Sequence, residues 1–341
     1  MKKTMETARA RIKKCRVCPE CNGKACAGEI PGMGGIGSGA GFMNNVTSLA
    51  AVKVLPRYLH SADTPDASRT LWGKKLSLPL MTAPVGSIAQ LDTDMSTERY
   101  VEIMAQACHE AGVIATFGDT GILADLETKF HHTGNTGASL GVFYKPVDVA
   151  AIEKRMDITA RAGCTLCGVD VDAAGFMPLR KLESPVGVRT PGEIAAMARL
   201  AHERGMKFIV KGIMAVDEAR LAVDAGVDGV LVSNHGGRSI DCTPGVAEVL
   251  PAIAEAVGKD TVILADGGIR TGLDILRMIA LGAQAVLICR PVIVAMHEDE
   301  EKGLQQYVAG LISQLQDAMR LTGCQTIDDI SSKVLYGGCK G

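Results

Sequence analysis

The chain of 341 residues lacks any surplus of charge: 36 Lys and Arg stand against 38 Asp and Glu, for a formal net charge of −2. With no overall positive field to attract a polyanion, a nucleic-acid partner is not expected. Also missing is any window of the roughly 20 apolar residues that a membrane span needs. The basic, helix-compatible start, Met1 to Lys14, lacks the apolar stretch of about 7–15 residues that marks a secretory signal. These absences predict a soluble, cytoplasmic protein that keeps clear of membranes.

What is present is ample material for a core, since 47% of the residues are apolar. An α/β barrel commonly uses about 250 residues as one domain. The chain therefore divides into a Cys- and Gly-rich extension over residues 1–60 and one large domain over residues 61–341. From about Leu78, short apolar runs alternate with amphipathic stretches of helical period, the pattern of repeated βα units.

Strands are expected at Leu80–Ala83, Val113–Thr116, Leu140–Phe143, Cys167–Val171, Phe208–Lys211, Gly229–Ser233, Val262–Ala265 and Ala285–Ile288. Helices are expected at Thr97–Ala111, Val147–Ala162, Pro191–Arg204, Val216–Ala225, Gly245–Val257 and Gly272–Leu281. Thr190 before Pro191 is a cap followed by a favoured first helical residue, and Asp217 suits the positive first turn of its helix. Gly112, Gly205 and Gly282 supply the stops. The alternation favours a closed (β/α)8, or TIM, barrel over an open doubly wound sheet, which would alternate in the same way.

In such a barrel, chemistry belongs where strands end. Lys211 ends the fifth strand, Asn234 and His235 follow the sixth, Asp266, Gly267 and Gly268 follow the seventh, and Arg290 and Pro291 follow the eighth. Bare glycine backbone with Arg270 and Arg290 after the last two strands suits a phosphate group, although tight turns with solvated arginines would read alike. His235, between Asn234 and two glycines, is a base able to take a proton near neutral pH. Arg238, three residues on, can grip a carboxylate with two hydrogen bonds.

Two N-terminal features stand apart. Cys15, Cys18, Cys21 and Cys26 place four of the eleven cysteines in one short stretch. In a chain of this kind clustering points to zinc or an iron–sulfur cluster, with a redox-sensitive thiol patch or a merely cysteine-rich tail as alternatives. Scattered cysteines such as Cys108, Cys167 and Cys289 are expected in the core. The segment from Pro31 to Gly41 is too glycine-rich for a stable helix or strand. It reads as a flexible loop or linker, or as backbone that approaches a ligand.

The runs Val210-Lys211-Gly212, Asp217-Glu218-Ala219-Arg220-Leu221-Ala222 and Val232-Ser233-Asn234-His235-Gly236-Gly237-Arg238 with Asp241 resemble the FMN-dependent 2-hydroxy acid dehydrogenase and oxidase family, which includes glycolate and lactate oxidases. Asp266-Gly267-Gly268-Ile269-Arg270, Leu281-Gly282-Ala283 and Arg290-Pro291 extend the likeness in order. It covers roughly Trp72 to Ile330, with a fainter echo at Pro56-Arg57-Tyr58-Leu59.

The resemblance implies that His235 takes the substrate proton, Asp172 orients it and stabilises its charge, and Arg238 binds the carboxylate. It implies an FMN site in which Pro84, Val85 and Gly86 lie against the ring, Lys211 faces its N1–O2 edge, and Ser233, Asp266, Gly267, Gly268, Arg270 and Arg290 hold the ribityl and phosphate groups. Thr116 and Asp170 complete the expected cofactor contacts, and Tyr144 and Arg180 are the candidates for further substrate contacts. A homo-tetramer is implied by resemblance as well.

There are departures. The third strand, Leu140-Gly141-Val142-Phe143-Tyr144-Lys145, lacks the family's glutamine and tyrosine in register, Asp170 stands where threonine is usual, and Cys289 replaces the glycine before the phosphate arginine. The expected activity is oxidation of a small L-2-hydroxy acid to the 2-oxo acid, with an electron acceptor that the sequence does not name. The alternatives are an FMN-dependent isomerase of the isopentenyl-diphosphate type and a non-catalytic flavin or metal protein that transfers electrons or senses redox state.

Overall fold

The computed structural model describes residues 5–29, 34–131, 137–176, 179 and 185–337. Eight parallel strands form the centre: β3 (Leu80–Thr82), β4 (Ala115–Gly118), β5 (Leu140–Tyr144), β6 (Leu166–Asp170), β7 (Lys207–Ile213), β8 (Gly229–Val232), β9 (Val262–Ala265) and β10 (Ala285–Ile288). Their spatial order is β3-β10-β9-β8-β7-β6-β5-β4. A bridge between Met81 and Ile114 joins the two ends, with Thr82 N donating to Ile114 O at 3.0 Å, so the sheet closes into the expected barrel.

Period-two alternation turns this sequence into a barrel with a dry floor and a polar mouth. One inward layer is apolar, with Met81, Ile114, Phe143, Leu166, Ile209, Leu231, Leu264 and Leu287 packed together. Two residues further along their chains, the register that holds Phe143, Ile209, Leu231, Leu264 and Leu287 carries Lys145, Lys211, Ser233, Asp266 and Cys289. Beneath the apolar layer a hairpin of β1 (Arg69–Leu71) and β2 (Lys74–Leu76) plugs the barrel with Leu71 and Leu76. Trp72 at its turn donates from Nε1 to Asp228 O at 3.3 Å.

The helices follow the sequence pattern closely: α3 (Thr97–Ala111), α5 (Val149–Arg161), α6 (Pro191–Glu203), α7 (Val216–Asp224), α8 (Val246–Val257) and α9 (Gly272–Ala280). Thr190 and Glu193 form a reciprocal capping box at the start of α6. Four helices fall outside that pattern: α1 (Glu6–Arg11), α2 (Ala40–Ala51), α4 (Leu123–His131) and α10 (Arg290–Arg320), the last broken by non-helical backbone at Asp299 and Glu300. Among the described residues, no helix is long and apolar enough to cross a membrane.

The N-terminal extension docks rather than dangles. Ala8 N donates to Glu298 Oε2 at 2.9 Å, and Lys13 N and Lys14 N donate to Asp92 O and Leu91 O. The glycine-rich segment, in its described part, is not a linker. Ile36 N donates to Gly237 O at 2.9 Å and Ser38 N to Asp241 Oδ2 at 2.6 Å, which ties it to the loop carrying His235.

Candidate active site

A cavity of about 620 Å³ opens at the polar mouth of the barrel. Pro84, Val85, Gly86, Lys211, His235, Arg238, Asp266, Gly267, Gly268, Arg270 and Arg290 all line it, so loops far apart in sequence converge on one space. Ser233 and Asp170 lie directly behind that wall: Ser233 Oγ donates to Asp266 Oδ2 at 2.8 Å, and Asp170 pairs with Lys145 and Lys211.

His235 is aimed by strained backbone. Its φ of 55° is left-handed, and Gly236 and Gly237 continue in that region at 65° and 74°. A side chain at Gly237 would place its Cβ 2.4 Å from Phe42 N, so only glycine lets α2 approach the loop. His235 N donates to Ser233 Oγ at 3.0 Å, and the ring packs against Phe176 with centroids 4.9 Å apart.

The imidazole Nδ1 lies 3.0 and 3.1 Å from the two oxygens of Asp172 and 3.0 Å from Lys211 Nζ. Nε2 makes no hydrogen bond among the described residues, which leaves it as the nitrogen able to accept a proton. Lys211 Nζ is also 3.2 Å from Asp170 and 3.8 Å from Asp172, while Lys145 Nζ is 2.7 Å from Asp170. Two ammonium groups thus balance two carboxylates, and a neutral imidazole adds nothing to the total.

Burial pushes the His235 pKa below the ordinary histidine range, and Lys211 adds to that push while Asp172 opposes it. For the acids burial works upward, but Lys145 and Lys211 hold Asp170 well below its usual value, and His235 and Lys211 hold Asp172 below its own. Lys211 is raised despite its burial, because Asp170, Asp172 and Asp266 surround it. The resting arrangement is a neutral base beside a network of paired charges in which Asp170 Oδ1 has an ion-pair partner, Lys211, but no hydrogen bond among the described residues.

Arg238 has no ion pair among the described residues; its guanidinium carbon lies 5.7 Å from the centre of the Phe176 ring. A half-buried cation facing a cavity without a counter-ion is a site for an anion.

The opposite end is made of backbone. Gly267 and Gly268 have φ of 85° and 81°, and a Cβ at Gly268 would lie 2.4 Å from Asn45 O. Arg290 opens helix α10, so free backbone N–H groups face the same end. Arg290 stacks on Phe42 at 4.2 Å, and Arg270 Nε and Asp266 Oδ1 are buried with no hydrogen-bond partner in the described structure. Burial pushes the Asp266 carboxyl up to about 6, with Lys211 and Ser233 opposing.

Several expectations are corrected. Tyr144 is fully buried on the outer face of β5, where its hydroxyl meets Thr159 Oγ1 at 2.6 Å, because alternation sends Phe143 and Lys145 inward instead. Thr116 does not reach the cavity: its hydroxyl donates to Thr82 O, and its N–H donates to Thr82 Oγ1 at 2.9 Å, so it seams β3 to β4. Cys289 packs against the core as expected and also lines the cavity. Cys108 and Cys167 are buried as expected. Arg180 lies outside the described residues.

The cysteine cluster lies beside the site. All four thiols are half-buried and none is in a disulfide, Cys15 lines the cavity wall, and Arg270 Nη2 donates to Cys21 O at 3.1 Å and lies 3.6 Å from Cys21 Sγ.

Other contributors escaped the sequence reading. Phe42 and Asn45 on α2 line the cavity; the spacing of Phe42, Val46 and Leu49 at i, i+4 and i+7 was the available signal. Asn45 Nδ2 donates to Asn234 Oδ1 at 2.7 Å, which joins α2 to the His235 loop. Lys129, buried on α4, donates to Gly86 O and Gly118 O at 2.6 Å each and holds the Pro84–Gly86 turn; burial drags its pKa down to about 8. Arg155 and Asp119, both buried, form an ion pair at 2.9 Å under the same rim.

Comparison with known proteins agrees with this geometry. The family described as FMN-dependent dehydrogenase matches residues 32–197 and 188–337. The chain is 31% identical over 315 residues to an L-lactate oxidase of Lacticaseibacillus rhamnosus, with 84% of this chain and 83% of that protein covered. It is 30% identical over 327 residues to a 4-hydroxymandelate oxidase of Amycolatopsis orientalis, covering 86% and 89%. A solved structure of mandelate oxidase with (S)-2-phenylpropionate superposes with a TM-score of 0.75 at 28% identity, covering 98% of this chain and 96% of that one.

Proposed function

This chain belongs to the FMN-dependent dehydrogenase family, and from that premise we propose that it oxidises a small L-2-hydroxy acid, lactate- or glycolate-like, to the 2-oxo acid. The observation that carries the reading is the meeting of His235, its partner Asp172 and the uncompensated Arg238 at one end of a cavity whose other end is a glycine and helix-terminus cradle.

The residues present fit FMN. Gly267, Gly268, Arg270 and the start of α10 at Arg290 would hold its phosphate; the orphaned Asp266 oxygen suits a ribityl hydroxyl; the Pro84–Gly86 backbone and Lys211 would meet its ring. Bound there, FMN supplies the acceptor for the hydride equivalent that leaves the substrate.

The side chains do the rest. Arg238 binds the substrate carboxylate and so fixes which face and which proton meet His235. His235 takes that proton at Nε2, its neutral resting state being the competent one. Asp172 keeps the ring in place and stabilises the imidazolium, while the Lys145–Asp170–Lys211 chain keeps the surrounding charge balanced. An isomerase or a non-catalytic flavin protein would leave a base, its carboxylate and an open carboxylate clamp without a use.

To this reading we add a thiolate-held metal centre at Cys15, Cys18, Cys21 and Cys26, a cytoplasmic location and a homo-tetrameric state. Light scattering on the purified protein checks the last of these. The activity is tested by mixing the FMN-loaded protein anaerobically with lactate, glycolate, mandelate and longer L-2-hydroxy acids. Bleaching of the flavin absorbance that disappears in His235→Ala is expected, and no bleaching with any of them would remove the reading.

A further inference from the structure

The four N-terminal thiols sit where the proposed oxidation needs no thiol, yet the fold holds them with care. The segment is pinned on one side by the pairing of Lys13 and Lys14 with Asp92 and Leu91, and on the other by Gly23 packed on Phe42. Between these anchors Arg9 Nη2 donates to Val17 O at 2.8 Å, and Val17 and Gly23 adopt left-handed backbone, with φ of 45° and 84°. The stretch of twelve residues carries thiols at spacings of three, three and five, and its folding brings Cys26 within electrostatic reach of Cys15, Cys18 and Cys21. None is buried as an ordinary apolar side chain would be.

Two contacts join this region to the cavity: Cys15 forms part of its wall, and Cys21 lies against the Arg270 guanidinium that also faces it.

Sulfur spacing separates the metals. Tetrahedral zinc with Zn–S bonds of about 2.3 Å brings its sulfurs to roughly 3.8 Å from one another. No three of these sulfurs approach within 4.8 Å among the described residues, where the only such group of possible ligands is Asp170, Asp172 and His235. An iron–sulfur core holds its cysteine sulfurs farther apart, because iron and sulfide lie between them.

We infer that Cys15, Cys18, Cys21 and Cys26 ligate an iron–sulfur cluster at the wall of the flavin cavity, and that this cluster is the exit for the substrate's electrons. The second half rests on the oxidation proposed above. A hydroxy acid gives up two electrons and two protons on becoming the oxo acid. The cluster passes the electrons singly to a one-electron carrier protein in solution, which is reduced twice per turnover; one proton leaves through His235, and the other, carried off with the hydride equivalent, is released to solvent from the cofactor as its electrons depart.

The test uses the full chain purified without oxygen. Iron and acid-labile sulfide in equal amounts, with FMN, are expected; Cys18→Ser with Cys21→Ser should lose the iron while FMN stays bound, which shows that the barrel remains folded. Zinc without sulfide, no metal, or iron retained in the double variant would overturn the cluster. If the variant also loses FMN, Cys18→Ala alone replaces it, with the same reading of iron against flavin.

Anaerobic addition of L-lactate or L-mandelate, whichever bleaches the flavin, should produce the electron paramagnetic resonance signal of a reduced cluster. Bleaching without that signal overturns the exit role and leaves the oxidation standing. Iron and sulfide in a protein whose flavin no hydroxy acid bleaches would support the cluster and sink the oxidation.

Discussion

The two ends of the cavity are built from different materials. At the His235 end the working groups are side chains on strand termini, charged, buried and mutually neutralising, so their state follows pH. At the Gly268 end they are backbone N–H groups and guanidinium groups, which offer an anion shape and fixed dipoles. On the proposed function the difference gives reactivity to one end and anchoring to the other, and it makes the two separable by mutation.

His235→Ala should cause the largest loss, a fall in kcat of about 10³–10⁴-fold, or roughly 4–5.5 kcal/mol, with FMN still bound. Steady-state kinetics beside flavin content would check it; loss of flavin together with activity would blur the two ends and break the comparison. Gly268→Ala forces a left-handed φ on alanine and a Cβ 2.4 Å from Asn45 O, at a cost of about 2–4 kcal/mol. It should release FMN on gel filtration while leaving the pH dependence of whatever activity remains unchanged.

Arg238→Met removes the carboxylate clamp, and KM should rise roughly 10–150-fold, in line with about 1.5–3 kcal/mol for a charge-assisted hydrogen-bonded pair. An unchanged KM would move carboxylate binding elsewhere.

Asp266 offers a stability test on FMN-free protein. Its folded pKa of about 6 lies above the ordinary 3.8, so its contribution is fully present below pH 3.8 and is lost as pH rises through 6. The loss amounts to about 3 kcal/mol. Asp266→Asn should flatten that part of the Tm-against-pH curve.

The smallest effect concerns the acid limb of kcat/KM. Activity should fall as pH drops through the folded His235 pKa, which lies below the usual value near 6.5. In Asp172→Asn the attraction that favours the imidazolium is gone, so the limb should move to lower pH by about one unit. A shift upward would mean that Asp172 does not act on His235 as the 3.0 Å contact indicates.

Legibility in the sequence differed between the same two regions. β9 and β10 coincide with their expected spans, and α3 runs from Thr97 to Ala111 as the pattern predicts, because amphipathic period and caps are local signals. His235, Arg238, Lys211, Gly267, Gly268, Arg270 and Arg290 reach the cavity because a residue just past the end of a barrel strand has nowhere else to go. Tyr144 shows the limit. Leu140-Gly141-Val142-Phe143-Tyr144 is buried throughout, and a run without alternation does not say which parity faces inward. Thr116 failed for a related reason: it lies inside the barrel, but its hydroxyl is spent on Thr82.

The barrel, its eight strands and the order of polar groups at their ends follow from periodicity and from neighbours a few residues apart. Long-range packing brings residues 5–29 and α2 over the mouth, stacks Phe42 on Arg290 and sets Cys15 in the wall of the His235 cavity. Those contacts join residues some 200 to 290 positions apart, and such pairings are set by shape and by which buried polar groups satisfy one another, quantities that no local pattern contains.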